Sequence, residues 1–447
     1  MFSVLRINIM EVRKFFFLIL AVLVWPAASI SQELLTLEDA ISIALKNNFD
    51  IQMVAKDVAI AENNVNVANA GMLPSVTGNM SRTAAIQNMT QTLLSGETRE
   101  LDGAKSNSFL YGAALDWTIF DGFRMFARYE QLKELKALGE ETMKTVILAT
   151  VFDVIASYYD LVQQQHLIDA TKTALDLSAF RHQIAESRYQ IGKAAKLEVL
   201  AANVDMNTDT TNLLRQQETY RNIQIHLNEL LARDVDAEFS VIDTFIIEHD
   251  MDYKALASKA EALNPDLQAA IVNHRLQQLE LKYVRGARYP VVSVTSAYTR
   301  SRSESAFGFS TQSNVNGFNY GVTASVNIFN GFLQRRAERN AELAIDQAEL
   351  QVSKVRGNIE AQLRAAYQTY LTSLELVRLE SSNTRIAKEN LDITLEKFKL
   401  GSIAPVEFRE AQRNFVDASA RYSTAQYNAK IAEITLNQIA GTLQVSE

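Results

Sequence analysis

Between Phe318 and Phe329 the chain alternates: Phe318, Tyr320, Val322, Ala324, Val326 and Ile328 are apolar, while Asn319, Gly321, Thr323, Ser325 and Asn327 are polar or small. The stretch Phe109 to Ile119 repeats the apolar set as Phe109, Tyr111, Ala113, Leu115, Trp117 and Ile119, with Gly112, Asp116 and Thr118 facing the other way. Period two predicts strands between an apolar and a wet environment. About eleven steps of 3.3 Å, tilted by about 45°, cover roughly 25 Å, the height of the apolar band of an outer-membrane barrel. Aromatic residues cluster at both ends of these strands: Phe109, Tyr111, Phe318 and Tyr320 at one, Trp117, Phe120, Phe329 and Phe332 at the other. Interfacial girdles of a membrane barrel look like this. A soluble sandwich is the other reading of the alternation; the paired girdles favour the barrel.

Each of these strands follows a less regular one. Pro74 and Pro290 open the earlier pair, a strand position where proline's missing N–H is tolerated. After Pro290, Val292, Val294 and Tyr298 alternate with Ser293, Thr295 and Thr299; after Pro74 the pattern is weaker, and Asn88 to Asn107 reads as a polar loop. Pro74 and Phe120 are 120 − 74 = 46 apart, Pro290 and Phe329 only 329 − 290 = 39, and the surplus of seven is assigned to that loop.

Elsewhere the pattern is helical. From Gly122 to Tyr189 there is no proline, and the one further glycine is Gly139. Apolar residues recur every seven positions at Ile147, Val154, Leu161, Ile168 and Leu175, with Val151 and Tyr158 between them. This predicts a coiled-coil seam on a rod of about 100 Å. A second run, Phe332 to Phe398, carries Leu363, Tyr370 and Val377 on its seam. Shorter helices are expected at Phe49 to Ala70 and Asp266 to Arg288 before the strands, and at Lys196 to Leu231 and Val406 to Leu443 after the long runs. Two short helices end to end nearly match one long helix, so each half reads as a strand hairpin standing on a helical hairpin. The acidic, irregular segment from Ala232 to Asp252 reads either as a strap around the outside or as a flexible linker.

The halves are copies. Tyr111 to Phe123 aligns with Tyr320 to Phe332 at an offset of 320 − 111 = 209, and Gly192 aligns with Gly401 at the same offset, 401 − 192 = 209. One large unit has been duplicated, in contrast to an array of short repeats. The division expected is repeat 1 over about 36–231, a linker over 232–252 and repeat 2 over about 253–443. The fold class that follows is mainly α with a β-barrel contribution.

The net charge of −8, with 44 basic and 52 acidic residues and no basic run, excludes a nucleic-acid partner, which would need a basic footprint. The absence of cysteine excludes disulfides, thiolate metal sites and a lipid-modified N-terminal cysteine. Arg13 and Lys14, the apolar run Phe15 to Trp25 and the small residues after Pro26 predict a signal peptide over residues 1–31, too short in its apolar part to span a bilayer; Met10 is an alternative start. No other stretch reads as 18 continuous apolar residues, so a membrane crossing must use strands. His166, His182, His226, His249 and His274 lie on different segments without ligand spacing, and no nucleophile, phosphate-binding or dinucleotide motif occurs. Neither an enzyme nor a cofactor is expected.

Where each long run stops stands a glycine motif: Tyr189-Gln-Ile-Gly192 and Phe398-Lys-Leu-Gly401, followed by Glu198 and by Pro405-Val-Glu407. Glycine caps a helix in the left-handed conformation, proline suits the first turn of the next one and an acid complements its dipole. These motifs, with Leu35-Thr-Leu-Glu-Asp-Ala-Ile, Ala70-Gly-Met-Leu-Pro74, Ile119-Phe-Asp-Gly122 and Ala440-Gly-Thr-Leu443, make the chain resemble the TolC-like outer-membrane efflux family along essentially all of its mature length. The resemblance implies a homotrimer with four strands per protomer completing a twelve-stranded barrel in outer-membrane lipid, continued by a periplasmic α-helical tunnel. It also implies docking of the hairpin tips, at Gly192 and Gly401, to a periplasmic membrane-fusion adaptor serving an inner-membrane pump of RND or ABC type. Glu407 and Glu410 match the family positions that narrow the tunnel entrance with acids. Where some members latch the tip with Tyr and Arg, this chain has Phe398 and Ile403, so closure by packing is expected instead. The function expected is a passive exit duct of a tripartite efflux or type I secretion system. The rival is a non-conducting periplasmic coiled-coil scaffold, which has no use for lipid-facing girdles.

Overall fold

A computed structural model describes residues 33–305 and 310–443; the expected signal peptide lies outside the described residues. The first half contains β1 (Glu33–Leu35), α1 (Leu37–Asn47), α2 (Phe49–Asn64), β2 (Ser75–Thr92), β3 (Thr98–Phe120), α3 (Arg124–Gln190) and α4 (Lys196–Leu230). After β4 (Phe239–Val241), the second half contains α5 (Tyr253–Leu263), α6 (Pro265–Gly286), β5 (Val291–Ser305), β6 (Gln312–Ser325), α7 (Leu333–Lys399) and α8 (Pro405–Ile439).

The long helices α3 and α7 are 67 residues each, and α4 and α8 are 35 each. All four bounds are related by 209, as in 333 − 124 and 405 − 196. Upstream of the strands the offset is 265 − 49 = 216. The difference of seven therefore lies within the strand hairpins, and it lengthens strands: β2 and β3 have 18 and 23 residues, β5 and β6 have 15 and 14. The polar stretch from Asn88 to Asn107 is consequently mostly ladder, with only a short turn at residues 93–97 between its two strands. Pairing continues to Thr92↔Thr98, interrupted by a bulge at Asn88, whose side chain accepts from the Gly103 N–H at 2.7 Å. Period two registers a contrast in burial between two faces; a hairpin wet on both faces has none, while its main-chain bonds form regardless of side chain.

Two other expectations change. The helix after Phe49 stops at Asn64 and not at Ala70, because Asn66 accepts from the Ala68 N–H at 2.8 Å and Asn69 donates to the Asn64 carbonyl at 3.1 Å, drawing the backbone into turns. The alternating run from Phe318 leaves the ladder at Ser325, which pairs with Val291; the preceding Pro290 has no N–H to continue it.

In the sheet the order is β2-β3-β5-β6, all antiparallel. Below it α3 is the central rod, packed against α1, α2, α4, α6 and α8. An 18-residue window of α3 is apolar enough to cross a membrane by composition, and half of it is buried in the protein. Its seam residues Val151, Val154, Tyr158 and Leu161 enter a core with Leu35, Ala40, Ala44, Leu227, Phe239 and Ile434. The second half builds a matching core from Leu256, Ala260, Leu267, Leu363, Tyr370 and Leu436.

The strap from residue 232 to 252 lies against both cores. Phe239 is 1% exposed, β4 pairs parallel with β1, and the Gln224 side chain donates to the Phe239 carbonyl at 2.7 Å. Further along, Tyr370 and Tyr367 donate to the Glu248 and Met251 carbonyls at 2.6 and 3.1 Å. These bonds bind the segment to α7 and rule out a free linker.

Candidate functional site: barrel face, ring edges and hairpin tips

Register fixes which sheet residues share a face, since directly opposed residues on adjacent strands project together. Val76, Leu115, Ser296 and Tyr320 form one row; Gly78, Ala113, Tyr298 and Phe318 form the next. Phe109 and Tyr111 lie on the same face, their rings 5.4 Å apart, as do the rings of Phe318 and Tyr320 at 6.1 Å. The opposite face carries Thr77, Asn79, Ala114, Gly112, Thr295, Ala297, Gly321 and Asn319, a small and polar set suited to water. At the helix end a bulge after Thr118 makes Phe120, not Ile119, oppose Val292; Phe120 thereby rejoins the face of Trp117, which opposes Val294. The Trp117 indole donates to the Met72 carbonyl at 2.9 Å, holding the amphipathic ring at the end of the apolar band.

The strand-to-helix joint is built by the repeated Phe-Asp/Asn-Gly-Phe motif. Asp121 accepts from the Met125 N–H at 3.1 Å and Asn330 from the Gln334 N–H at 3.4 Å. Phe123 and Phe332 then adopt positive φ, 69° and 64°, which costs a bulky residue energy. Edge-on packing offsets that cost: Phe123 on Phe120 and Phe332 on Phe329, at 5.1 and 5.4 Å. Phe329 and Phe332, expected as girdle aromatics, thus pack on each other at the turn between strand and helix.

Adjacency of the elements gives a ring segment with two loose ends at every level. The sheet runs β2-β3-β5-β6, the upper helices α2-α3-α6-α7 and the lower helices α4-α3-α8-α7. Large exposed apolar side chains concentrate on the end helices: Phe49, Met53 and Ile60 on α2, Leu197, Leu200 and Val204 on α4, and Leu379, Ile386, Ile393 on α7. The last three recur every seven residues, a seam without a partner in the protomer.

At the tips Gly192 and Gly401 have φ of 75° and 72°. The next residues close the helix ends, Lys193 N–H to the Arg188 carbonyl at 2.7 Å and Ser402 N–H to the Lys397 carbonyl at 3.0 Å, which is the Schellman geometry. The two tips touch: the Arg188 guanidinium lies 5.5 Å from the Phe398 ring centroid and donates to the Phe398 carbonyl at 3.4 Å. Phe398 is buried and stacks on Phe408 at 4.9 Å, with Ile403 packed beside them. Glu407 and Glu410 are both exposed and three residues apart, flanking buried Phe408 and Ala411 on the first turns of α8.

Two networks escaped the sequence reading. Asp205 on α4 binds Arg181 of α3 at 2.5 Å and Arg409 of α8 at 3.1 Å. One turn up, buried Gln412 donates to the Ala174 carbonyl at 2.8 Å, Ser178 at 2.9 Å and Asp209 at 3.2 Å. These groups join the two hairpins and are not repeated: positions 209 beyond Arg181, Asp205 and Asp209 hold Asn390, Asn414 and Ala418. The second network is repeated. Asn48 and Asn264 cap α2 and α6 and donate to the Leu230 and Ile439 carbonyls at 2.9 and 3.0 Å, joining each short upper helix to the end of a lower one. Their spacing, 264 − 48 = 216, was legible once a second offset was sought.

Burial shifts the titrations along the rods. Tyr159 and Tyr370 are pushed up to about 12, by burial and then by the charge of Glu433. Burial also raises Asp160, whose carboxylate has no ion pair among the described residues. The described residues contain no cluster of metal-ligating side chains.

Comparison with known proteins resolves the identity of this architecture. The family described as Outer membrane efflux protein matches residues 40–233 and again residues 256–442, once per half. The chain belongs to that family. It is similar to the outer membrane efflux protein BepC of Brucella suis, 20% identical over 92% of this chain and 86% of that one. It is also similar to the alkaline protease secretion protein AprF of Pseudomonas aeruginosa, 19% identical over 92% and 86%. Its fold matches the Campylobacter jejuni CmeC outer membrane channel with a TM-score of 0.76, 18% identity and coverage of 92% and 87%. Family membership places the chain in the Gram-negative outer membrane with its helices in the periplasm, as a non-enzymatic channel protein of barrel and helical tunnel.

Proposed function

We propose that three copies close head to tail into a passive exit duct of a tripartite efflux or type I secretion system. The observation that carries this reading is the set of unpartnered edges: β2 and β6 in the sheet, α2 and α7 above, α4 and α7 below. Bare strand edges are not tolerated in lipid, and a heterologous contact between unlike edges closes a ring by rotation. The α7 seam of one protomer then meets α4 of the next. The tips around Gly192 and Gly401 dock a periplasmic adaptor, and an inner-membrane pump of RND or ABC type supplies the energy. Exposed Glu407 and Glu410 line the entrance, six carboxylates around one axis.

Planar-bilayer recording of purified trimers tests this. Wild type should conduct with a preference for cations, weakened by salt screening and blocked by multivalent cations from the periplasmic side. Glu407→Gln combined with Glu410→Gln should remove both properties at unchanged trimer yield. Unchanged selectivity would discard the acidic entrance alone. No current from folded trimers, even with adaptor bound, would discard the duct and leave the scaffold.

A further inference from the structure

The apolar sheet face carries three arginines that neither duct nor tunnel uses. Arg82 of β2 opposes Phe109, Phe109 opposes Arg302 of β5, and Arg300 opposes Tyr111. All three arginines therefore share the face of Leu115, Trp117 and Val294. They lie beyond the apolar rows, toward the β2–β3 turn and away from the helices. Two inter-strand spacings put the Arg82 and Arg302 backbones about 10 Å apart, and two steps along β5 put Arg300 about 7 Å from Arg302. All three are exposed. Among the described residues Arg302 pairs with Glu304 at 2.9 Å, whereas Arg82 and Arg300 have no partner.

The opposite face is uncharged at these levels: Ser81, Thr83, Ser108, Leu110, Ser301, Ser303 and Val315. Charge is thus confined to the side that would meet lipid. Arginine is costly in the middle of the hydrocarbon layer, but here its stem can run along Phe109 and Tyr111 and place the guanidinium among headgroups. Guanidinium matches phosphate with paired, charge-assisted hydrogen bonds. Three cations against one acid leave a surplus positive charge beside the outer aromatic girdle. An arginine set for solubility, or for handling cargo in the lumen, would not stand on this face.

We propose that Arg82, Arg300 and Arg302 bind the phosphates of the anionic glycolipid of the outer leaflet, lipopolysaccharide, and so clamp the barrel in that leaflet. This rests on reading the apolar face as lipid-facing.

The test uses full-length protein purified as trimers and titrated with diphosphorylated lipid A, with its dephosphorylated form and with inorganic phosphate. Wild type should bind the phosphorylated lipid at least tenfold more tightly than the dephosphorylated one. The triple variant R82Q/R300Q/R302Q should lose that margin while retaining heat-resistant trimers on gels. Lysine at all three positions should keep part of the margin, and E304Q should widen it. Equal binding by wild type and the glutamine variant, or no preference for the phosphorylated form, overturns the proposal. Competition by millimolar inorganic phosphate would reassign the site to free anions and overturn the lipid assignment. Trp117, the tryptophan within the sheet, separates the underlying reading: quenching by brominated lipid chains shows the face in contact with lipid, and its absence would sink that reading together with the proposal.

Discussion

The two helical hairpins have equal lengths, equal tip geometry and equivalent caps, yet their long helices live in different surroundings. The central rod α3 packs on five other helices, and its heptad seam is buried: Val154 and Leu161 are 0% exposed. Its copy α7 packs on α5, α6 and α8; Leu363 and Tyr370, which are 154 + 209 and 161 + 209, fill the corresponding core, but Ile386 and Ile393 point outward. A duplicated sequence thus gives one rod completed inside the protomer and one whose seam stays exposed there, the seam that the proposed assembly would cover. Duplication yields a link with a donor edge and an acceptor edge, which a symmetric unit could not supply.

The largest expected effect breaks this asymmetry. Ile386→Asp with Ile393→Asp should abolish trimers while leaving a helical protomer, because charges enter a seam buried only on assembly. Cross-linking in detergent, beside circular dichroism, reads both; persistence of trimers would place the interface elsewhere. Leu161→Ala, in the completed rod, should instead destabilise the fold itself by about 2–5 kcal/mol, seen as a lower denaturation midpoint. If it dissociated trimers without unfolding protomers, the two rods would have to exchange roles.

In the sheet, Val322→Arg and Leu115→Arg on the apolar face should each cost roughly 2–4 kcal/mol near the bilayer midplane, and Thr323→Arg on the opposite face much less. Urea titration of barrels folded into vesicles measures the difference. Equal losses would mean that the sheet does not separate lipid from water.

The smallest effect sharpens the contrast within α3. Burial raises the folded pKa of Asp160 above the unfolded value, so the ionised carboxylate costs stability above the folded pKa. That cost is relieved as pH falls through the folded pKa toward the unfolded one. Asp160→Asn should raise the melting temperature at neutral pH, and the gain should vanish in acid. A destabilised variant would reveal a partner for Asp160 supplied by the neighbouring protomer.

Much of this was legible in residues alone. Alternation named the strands from Phe109 and Phe318, the heptads named both rods, and Gly192 and Gly401 marked the tips within a residue, because each is a local consequence of period or backbone freedom. The extra ladder from Asn88 to Asn107 was not legible, since main-chain pairing in water leaves no hydrophobic signature. Nor was the placement of Phe120 on the Trp117 face, which depends on a bulge set by the neighbouring strand. The links Arg181–Asp205–Arg409 and Gln412–Asp209 join residues more than twenty to two hundred positions apart, a distance that no periodicity spans. By itself the sequence determined the elements, their duplication and the chemistry it lacks. Only the tertiary structure decided which copy of each element stands inside and which at an edge, because identical apolar stripes are satisfied by whichever neighbour the topology brings first.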